Sequence, residues 1–154
     1  MKQKRQVSIL IADDDVDDCQ MIKDALKESQ LLNELHFVHN GEELLNYLNH
    51  RGPYEDPIKN PLPGLILLDL NMPRKDGREA LKEIKSDERF RHIPVVVLTT
   101  SQAEEDIYKT YDLGVNSFIT KPVLFNSLVE VMREIGHYWF QVVELPIHCD
   151  KRES

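Results

Sequence analysis

The sequence predicts an α/β fold, a parallel sheet with helices on both faces. Short apolar runs with no polar interruption, Ile9-Leu10-Ile11-Ala12, Leu65-Ile66-Leu67-Leu68 and Val95-Val96-Val97-Leu98, read as strands buried on both sides. Segments with helical apolar spacing separate them, so strand and helix signals alternate five times without a composition break. Each of four runs also delivers polar chemistry at its end. Asp13-Asp14-Asp15 follow the first, Asp69 the third, Thr99 the fourth and Lys121-Pro122 the fifth. In a parallel sheet these positions share the edge outside the carboxyl ends of the strands, where sites form.

The elements follow in order. Residues 7–12 make the first strand, and residues 16–30 a helix with Val16, Cys19, Ile22, Ala25 and Leu26 at helical spacing. Asp15 reads as its cap, and Asp17 and Asp18 as a solvated acidic helix start that the macrodipole favours. Residues 35–39 form a short strand broken by Asn40-Gly41, and 42–49 a helix carrying Leu44, Leu45 and Leu48. Residues 51–64 hold four prolines and two glycines and read as a loop, longer than most connections. After the third strand, residues 78–89 carry Ala80, Leu81 and Ile84 as a buried stripe. Residues 103–113 form the next helix, stopped by Gly114 as a left-handed cap. Residues 115–120 are the fifth strand, and 124–143 the last helix, closed by Pro146.

That last helix has more apolar surface than one packing face needs. Leu124, Leu128, Val131, Ile135, Tyr138 and Val142 form one stripe; Phe125, Val129, Met132, Trp139 and Val143 form a second beside it. One stripe can cover the sheet, and the other predicts a homodimer through this helix, with Trp139 and Phe140 as anchors. The competing reading is a wider core contact.

Composition narrows the function. The chain has 154 residues, 41% hydrophobic and 30% charged, enough for one domain with a sizeable core. A net charge of −8, with no cluster of Lys and Arg, argues against nucleic-acid binding. No apolar stretch approaches the roughly 20 residues of a membrane span, and the basic start lacks the apolar region of a signal peptide. Cys19 and Cys149, far apart in an acidic chain, read as reduced thiols of a cytoplasmic protein. The six His show no metal spacing and read as incidental.

Carboxylates gathered at adjacent strand ends repel one another unless a cation joins them. Mg²⁺ fits, since it takes oxygen ligands at about 2.1 Å and keeps several waters. Such a metal shields Asp69 as it attacks an anionic phosphate, while Lys121 and Thr99 can pair with phosphate oxygens. Phosphoryl transfer asks mainly for positioning and charge neutralisation, and a carboxylate nucleophile yields an aspartyl phosphate.

Two other site types share parts of the pattern. Asp13, Asp15 and Asp17 imitate the first ligands of a calcium-binding EF loop, but its sixth and twelfth positions are Asp18 and Asp24 instead of Gly and Glu. Asp69 followed by Asn71 resembles the start of haloacid-dehalogenase phosphatases. Those place an acid two residues after the nucleophile, and Asn71 cannot serve as one.

Taken jointly, the motifs resemble the receiver domain of two-component response regulators. The acidic pair Asp13-Asp14, Asp69 with Leu70-Asn71-Met72-Pro73 and Asp76-Gly77 after it, Thr99, Phe118 and Lys121-Pro122 each stand at the expected place. The resemblance covers residues 7–143 and leaves 144–154 as a C-terminal tail, with no attached output domain expected. It implies a flavodoxin-like doubly wound (βα)5 parallel sheet with strand order 2-1-3-4-5. It implies Asp69 as phosphoacceptor, assisted by Thr99 and Lys121. The metal set is Asp13, Asp14, Asp69 and the Asn71 backbone carbonyl, around Mg²⁺. Thr99 and Phe118 are the switch residues, and a cis bond at Lys121-Pro122 would aim the ammonium inward. The partner implied is a sensor histidine kinase.

A finer likeness rests on the Pro-rich loop at 51–64, the run Thr99-Thr100-Ser101 and the aromatic Tyr138-Trp139-Phe140. These resemble phytochrome-associated response regulators, whose input is a light-sensing kinase and which dimerise through the last helix. A signalling switch is therefore expected, an autocatalytic phosphoacceptor and not a turnover enzyme. A small-substrate phosphatase and a pseudo-receiver that never takes phosphate are the competing classes.

Overall fold

Burial on both faces requires the uninterrupted apolar runs to lie at the centre of a sheet. The computed structural model describes residues 8–29, 33–100 and 104–139, and places them there. The strands are β1 (Ile9–Ala12), β2 (Leu35–Val38), β3 (Leu65–Leu68), β4 (Val95–Thr99) and β5 (Ser117–Thr120). They alternate with helices α1 (Val16–Glu28), α2 (Gly41–Leu48), α3 (Gly77–Ser86), α4 (Glu104–Asp112) and α5 (Phe125–His137). All pairings are parallel, in the order β2-β1-β3-β4-β5. The apolar runs form the central β1, β3 and β4; the less apolar β2 and β5 take the edges.

Successive side chains of a strand point to opposite faces, and the core divides accordingly. Leu10, Ala12, Ile66, Leu68, Val95 and Val97 pack with α2 and α3 through Leu44, Leu48, Ala80, Leu81 and Ile84. Ile9, Ile11, Leu65, Leu67, Val96 and Leu98 pack with α1 and α5 through Ile22, Leu26, Leu128, Met132 and Ile135. Caps set the helix starts. The Asp15 carboxylate accepts from the Asp17 and Asp18 backbone N–H groups, Asn40 accepts from Glu43, and Asp76 with Glu79 forms a capping box on α3. Gly114, at φ 102°, takes the left-handed conformation expected after α4.

The segment 51–64 is more ordered than its proline content suggests. A single 3-10 turn, Gly52–Tyr54, lies against α2, where the Tyr47 and Tyr54 rings stand 5.4 Å apart. The Tyr47 hydroxyl donates to the Pro61 carbonyl at 2.9 Å, and His50 Nε2 to that of Asn60 at 2.8 Å.

The two apolar stripes of the last helix are not divided between core and partner as expected. Leu128, Val129, Met132, Ile135 and Trp139, drawn from both, enter the α1–α5 face of the core. Trp139 is only 7% exposed and therefore belongs to the core, not to a partner surface. Leu124, Phe125 and Tyr138 remain at 69%, 39% and 52% exposure. Phe140, Val142 and Val143 lie outside the described residues. Trp139→Ala is accordingly expected to destabilise the fold by about 3 kcal/mol or more, read by denaturant unfolding. A loss below about 1 kcal/mol would return the indole to the surface.

Candidate functional site

Strand register builds the site. Ala12 pairs with Leu68, so Asp13 and Asp69 leave the sheet side by side, and the Asp69 N–H donates to the Ala12 carbonyl at 2.9 Å. Thr99 pairs with Thr120, and the Lys121 N–H donates to the Thr99 carbonyl at 2.7 Å. Four strand ends thus bring together residues up to 108 positions apart.

Asp13, Asp69, Thr99 and Lys121 are all buried, while Asp14 is exposed at the rim. Carboxylate oxygens of Asp13, Asp14 and Asp69 lie within 4.8 Å of one another. Thr99 Oγ1 donates to Asp69 Oδ1 at 2.8 Å, and the Asn71 backbone N–H reaches the same oxygen at 3.2 Å. Lys121 Nζ bonds Asp13 Oδ2 at 2.7 Å and Asp18 Oδ2 at 2.8 Å, and stands 3.5 Å from Asp69 Oδ2. Burial alone would lower the Lys121 pKa, but its bonds to Asp13 and Asp18 and the neighbouring negative charge outweigh it and raise it. Burial pushes the Asp13 carboxyl up, and the Lys121 bond offsets this only in part.

Three carboxylates, Asp13, Asp18 and Asp69, therefore face one ammonium, with Asp14 beside two of them, and the surplus negative charge sits on hard oxygen donors. That donor set fits a divalent cation of the Mg²⁺ or Mn²⁺ kind and offers no soft ligand to select zinc or copper.

One expectation about the strand ends is revised by the geometry. The Lys121-Pro122 bond is not cis, for the described chain holds no cis peptide, and the ammonium is drawn inward by its acidic partners. The Thr99 hydroxyl stands against the Asp69 carboxylate in this structure. Phe118 is already half-buried against the α2–α3 face of the core, and its N–H donates to the Tyr111 hydroxyl at 3.1 Å.

Asp18, expected in a solvated helix start, instead sends its carboxylate from α1 to Lys121. His39 is not incidental either: its Nδ1 donates to the Asp13 carbonyl at 3.0 Å, beside Cys19 Sγ at 3.4 Å from the same oxygen. Burial, with the Asp13 charge adding to it, pushes the Cys19 thiol up to about 12, which disfavours the reactive thiolate. Beyond the site, Arg78 forks onto Asp106 with two bonds of 2.7 Å and onto Asp76 at 3.0 Å, tying α4 to α3.

A five-stranded parallel α/β sheet of this order, with acids, a hydroxyl and an ammonium along its carboxyl edge, defines a phosphoacceptor switch of two-component signalling. Residues 9–133 match the response regulator receiver domain, and the chain belongs to that family. It is 41% identical to response regulator Rcp1 of Synechocystis over 138 residues, 90% of this chain and 92% of that one. Among solved structures, the phosphorylated cyanobacterial phytochrome response regulator RcpA superposes with a TM-score of 0.86. Identity to it is 41%, over 93% of this chain and all of the other. The Mn²⁺-bound form of Rcp1 gives 0.83 at 40% identity, covering 92% and 99% of the two chains. Among the described residues, no helix is long and apolar enough to cross a membrane.

Proposed function

We propose that Asp69 takes a phosphoryl group from the phosphohistidine of a sensor kinase, in the cytoplasm, with Mg²⁺ as the working metal. The observation that carries this is the convergence of buried Asp13, Asp69, Thr99 and Lys121 at four strand ends. Asp13, Asp14, Asp69 and the Asn71 carbonyl would hold the cation, which supplies neutralisation of charge between carboxylate and phosphate. Lys121 pairs with one phosphoryl oxygen, and the Thr99 hydroxyl transfers its bond from the Asp69 carboxylate to another. Phe118, which pairs with Val97 two positions before Thr99, follows that change and reorders the surface of α4, β5 and α5. The likeness to phytochrome response regulators favours a light-sensing kinase as donor. With Asn71 in place of a general acid, the domain is modified once per cycle and does not turn over a small substrate.

Titration with Mg²⁺ and beryllofluoride, a phosphoryl analogue, tests this reading. A saturable shift with one site per chain and no turnover is expected. Catalytic turnover of small phosphate esters would favour the phosphatase class, and no response at all the pseudo-receiver.

The homodimer is carried by the apolar side chains that the core leaves out, Leu124, Phe125 and Tyr138, with Tyr108 and Tyr111 of α4 exposed as well. Sedimentation at tens of micromolar should give a dimer, and Phe125→Ala with Tyr138→Ala should weaken it about tenfold or more. A monomer with and without beryllofluoride would sink the idea.

A further inference from the structure

Lys121 has three N–H groups, and in this structure two of them are taken by Asp13 and Asp18. Only the third direction is left for Asp69, at the longer 3.5 Å. Asp13 comes from the strand end that also offers oxygen to a cation. Asp18 comes from α1 and holds the ammonium from the opposite side, with its side chain 30% exposed.

A phosphoryl group on Asp69 has to recruit this same ammonium. Asp18 opposes that in two ways of the same sign. Its carboxylate occupies an N–H that a phosphoryl oxygen would otherwise accept from, and its negative charge lies against the one cation that attracts the incoming anion. Its neighbour Asp17 supplies the contrast. It has the same charge, lies in the same first turn of α1 and is exposed, and Lys121 does not pair with it.

We propose that Asp18 is a positioning residue that tethers Lys121 to α1 and competes with the phosphoryl group for it, lowering the affinity of the site for phosphoryl anions. This rests on Asp69 being the phosphoacceptor. The tether thereby joins α1 to the strand end carrying Lys121.

The test compares beryllofluoride binding at saturating Mg²⁺ in the parent, Asp18→Asn, Asp17→Asn, Asp18→Glu and Asp69→Asn proteins. Asp18→Asn should reach half-saturation at about threefold lower beryllofluoride or less, the scale of releasing one partly exposed ion pair. Asp17→Asn should match the parent, and Asp18→Glu, which keeps the charge and the reach, should return to it. With a small acyl phosphate as donor, Asp18→Asn should lower the half-saturating concentration while leaving the maximal rate within about twofold. Equal behaviour of Asp18→Asn and Asp17→Asn would reduce Asp18 to a helix-start acid and overturn the proposal. Weaker binding in Asp18→Asn would also overturn it, by making Asp18 an aligner of Lys121 instead of a competitor. Thermal melts establish that each variant is folded, and Asp18→Glu keeps the comparison informative if Asp18→Asn is not. A parent that does not bind beryllofluoride, or an Asp69→Asn variant that binds as well, would remove the phosphoacceptor reading itself and this proposal with it.

Discussion

Asp69→Asn should abolish phosphorylation while leaving the domain at least as stable as the parent. The carboxylate is the nucleophile: an Asp69 oxygen forms the bond to phosphorus as the bond to the donor's imidazole nitrogen or acyl oxygen breaks, and the donor leaves with the electron pair. An amide oxygen carries no formal charge and cannot form a stable acyl phosphate. The surroundings tolerate the change. The amide oxygen can still accept from Thr99 and from the Asn71 N–H, which now bond Asp69 Oδ1 at 2.8 and 3.2 Å. Lys121 keeps Asp13 and Asp18, its two close partners. One negative charge is also removed from a group of four, which relieves repulsion in the absence of a cation. The measurement is incorporation of label that hydroxylamine releases, beside a thermal melt. Label persisting above a few per cent of the parent would move the acceptor to another acid, with Asp13 the first to examine.

What the sequence made legible, and what it did not, follows from the range of the interactions involved. β1, β3 and β4 could be read because a strand buried on both faces must be apolar at every position, and few other elements are. Asp69, Thr99 and Lys121 could be placed because each is the next residue after such a run, or after the edge strand β5. Asp18 could not. Its contact with Lys121 depends on how α1 sits across the sheet, and a local reading sees only an acid in a first helical turn. Trp139 failed for a related reason. Two stripes about 100° apart in rotation identify two faces of α5 but not the angle at which it docks, and the helix settles with parts of both inward.

Gly77→Ala should damage fold and site together. A Cβ at Gly77 would stand 2.4 Å from the Asp69 carbonyl oxygen and 2.7 Å from Leu70 Cα. Both are backbone atoms at the end of β3, so no side chain can swing aside. Gly77 is also fixed from its own side, since its N–H donates to the Leu70 carbonyl at 3.0 Å and the Asp76 capping box holds the first turn of α3. Either α3 moves off the strand end, or the peptide that carries Asp69 rotates. Overpacking of this kind costs about 3 kcal/mol. Rotation of that peptide also disturbs the Asp69 carboxylate and the Asn71 segment, so Mg²⁺ affinity should fall about tenfold or more, the scale seen when the support of a ligand is lost. Gly114→Ala provides the control. There the strain is in the backbone, at φ 102°, and the nearest atoms to the new methyl belong to the flexible Lys85 side chain, from 3.5 Å. That change should cost about 1 kcal/mol of stability and leave metal binding as in the parent. Parallel denaturant unfolding and Mg²⁺ titration of the two variants separate the cases. Parent-like Mg²⁺ affinity in folded Gly77→Ala would mean that the β3 end yields without carrying Asp69 with it, and that the close approach of α3 serves packing alone.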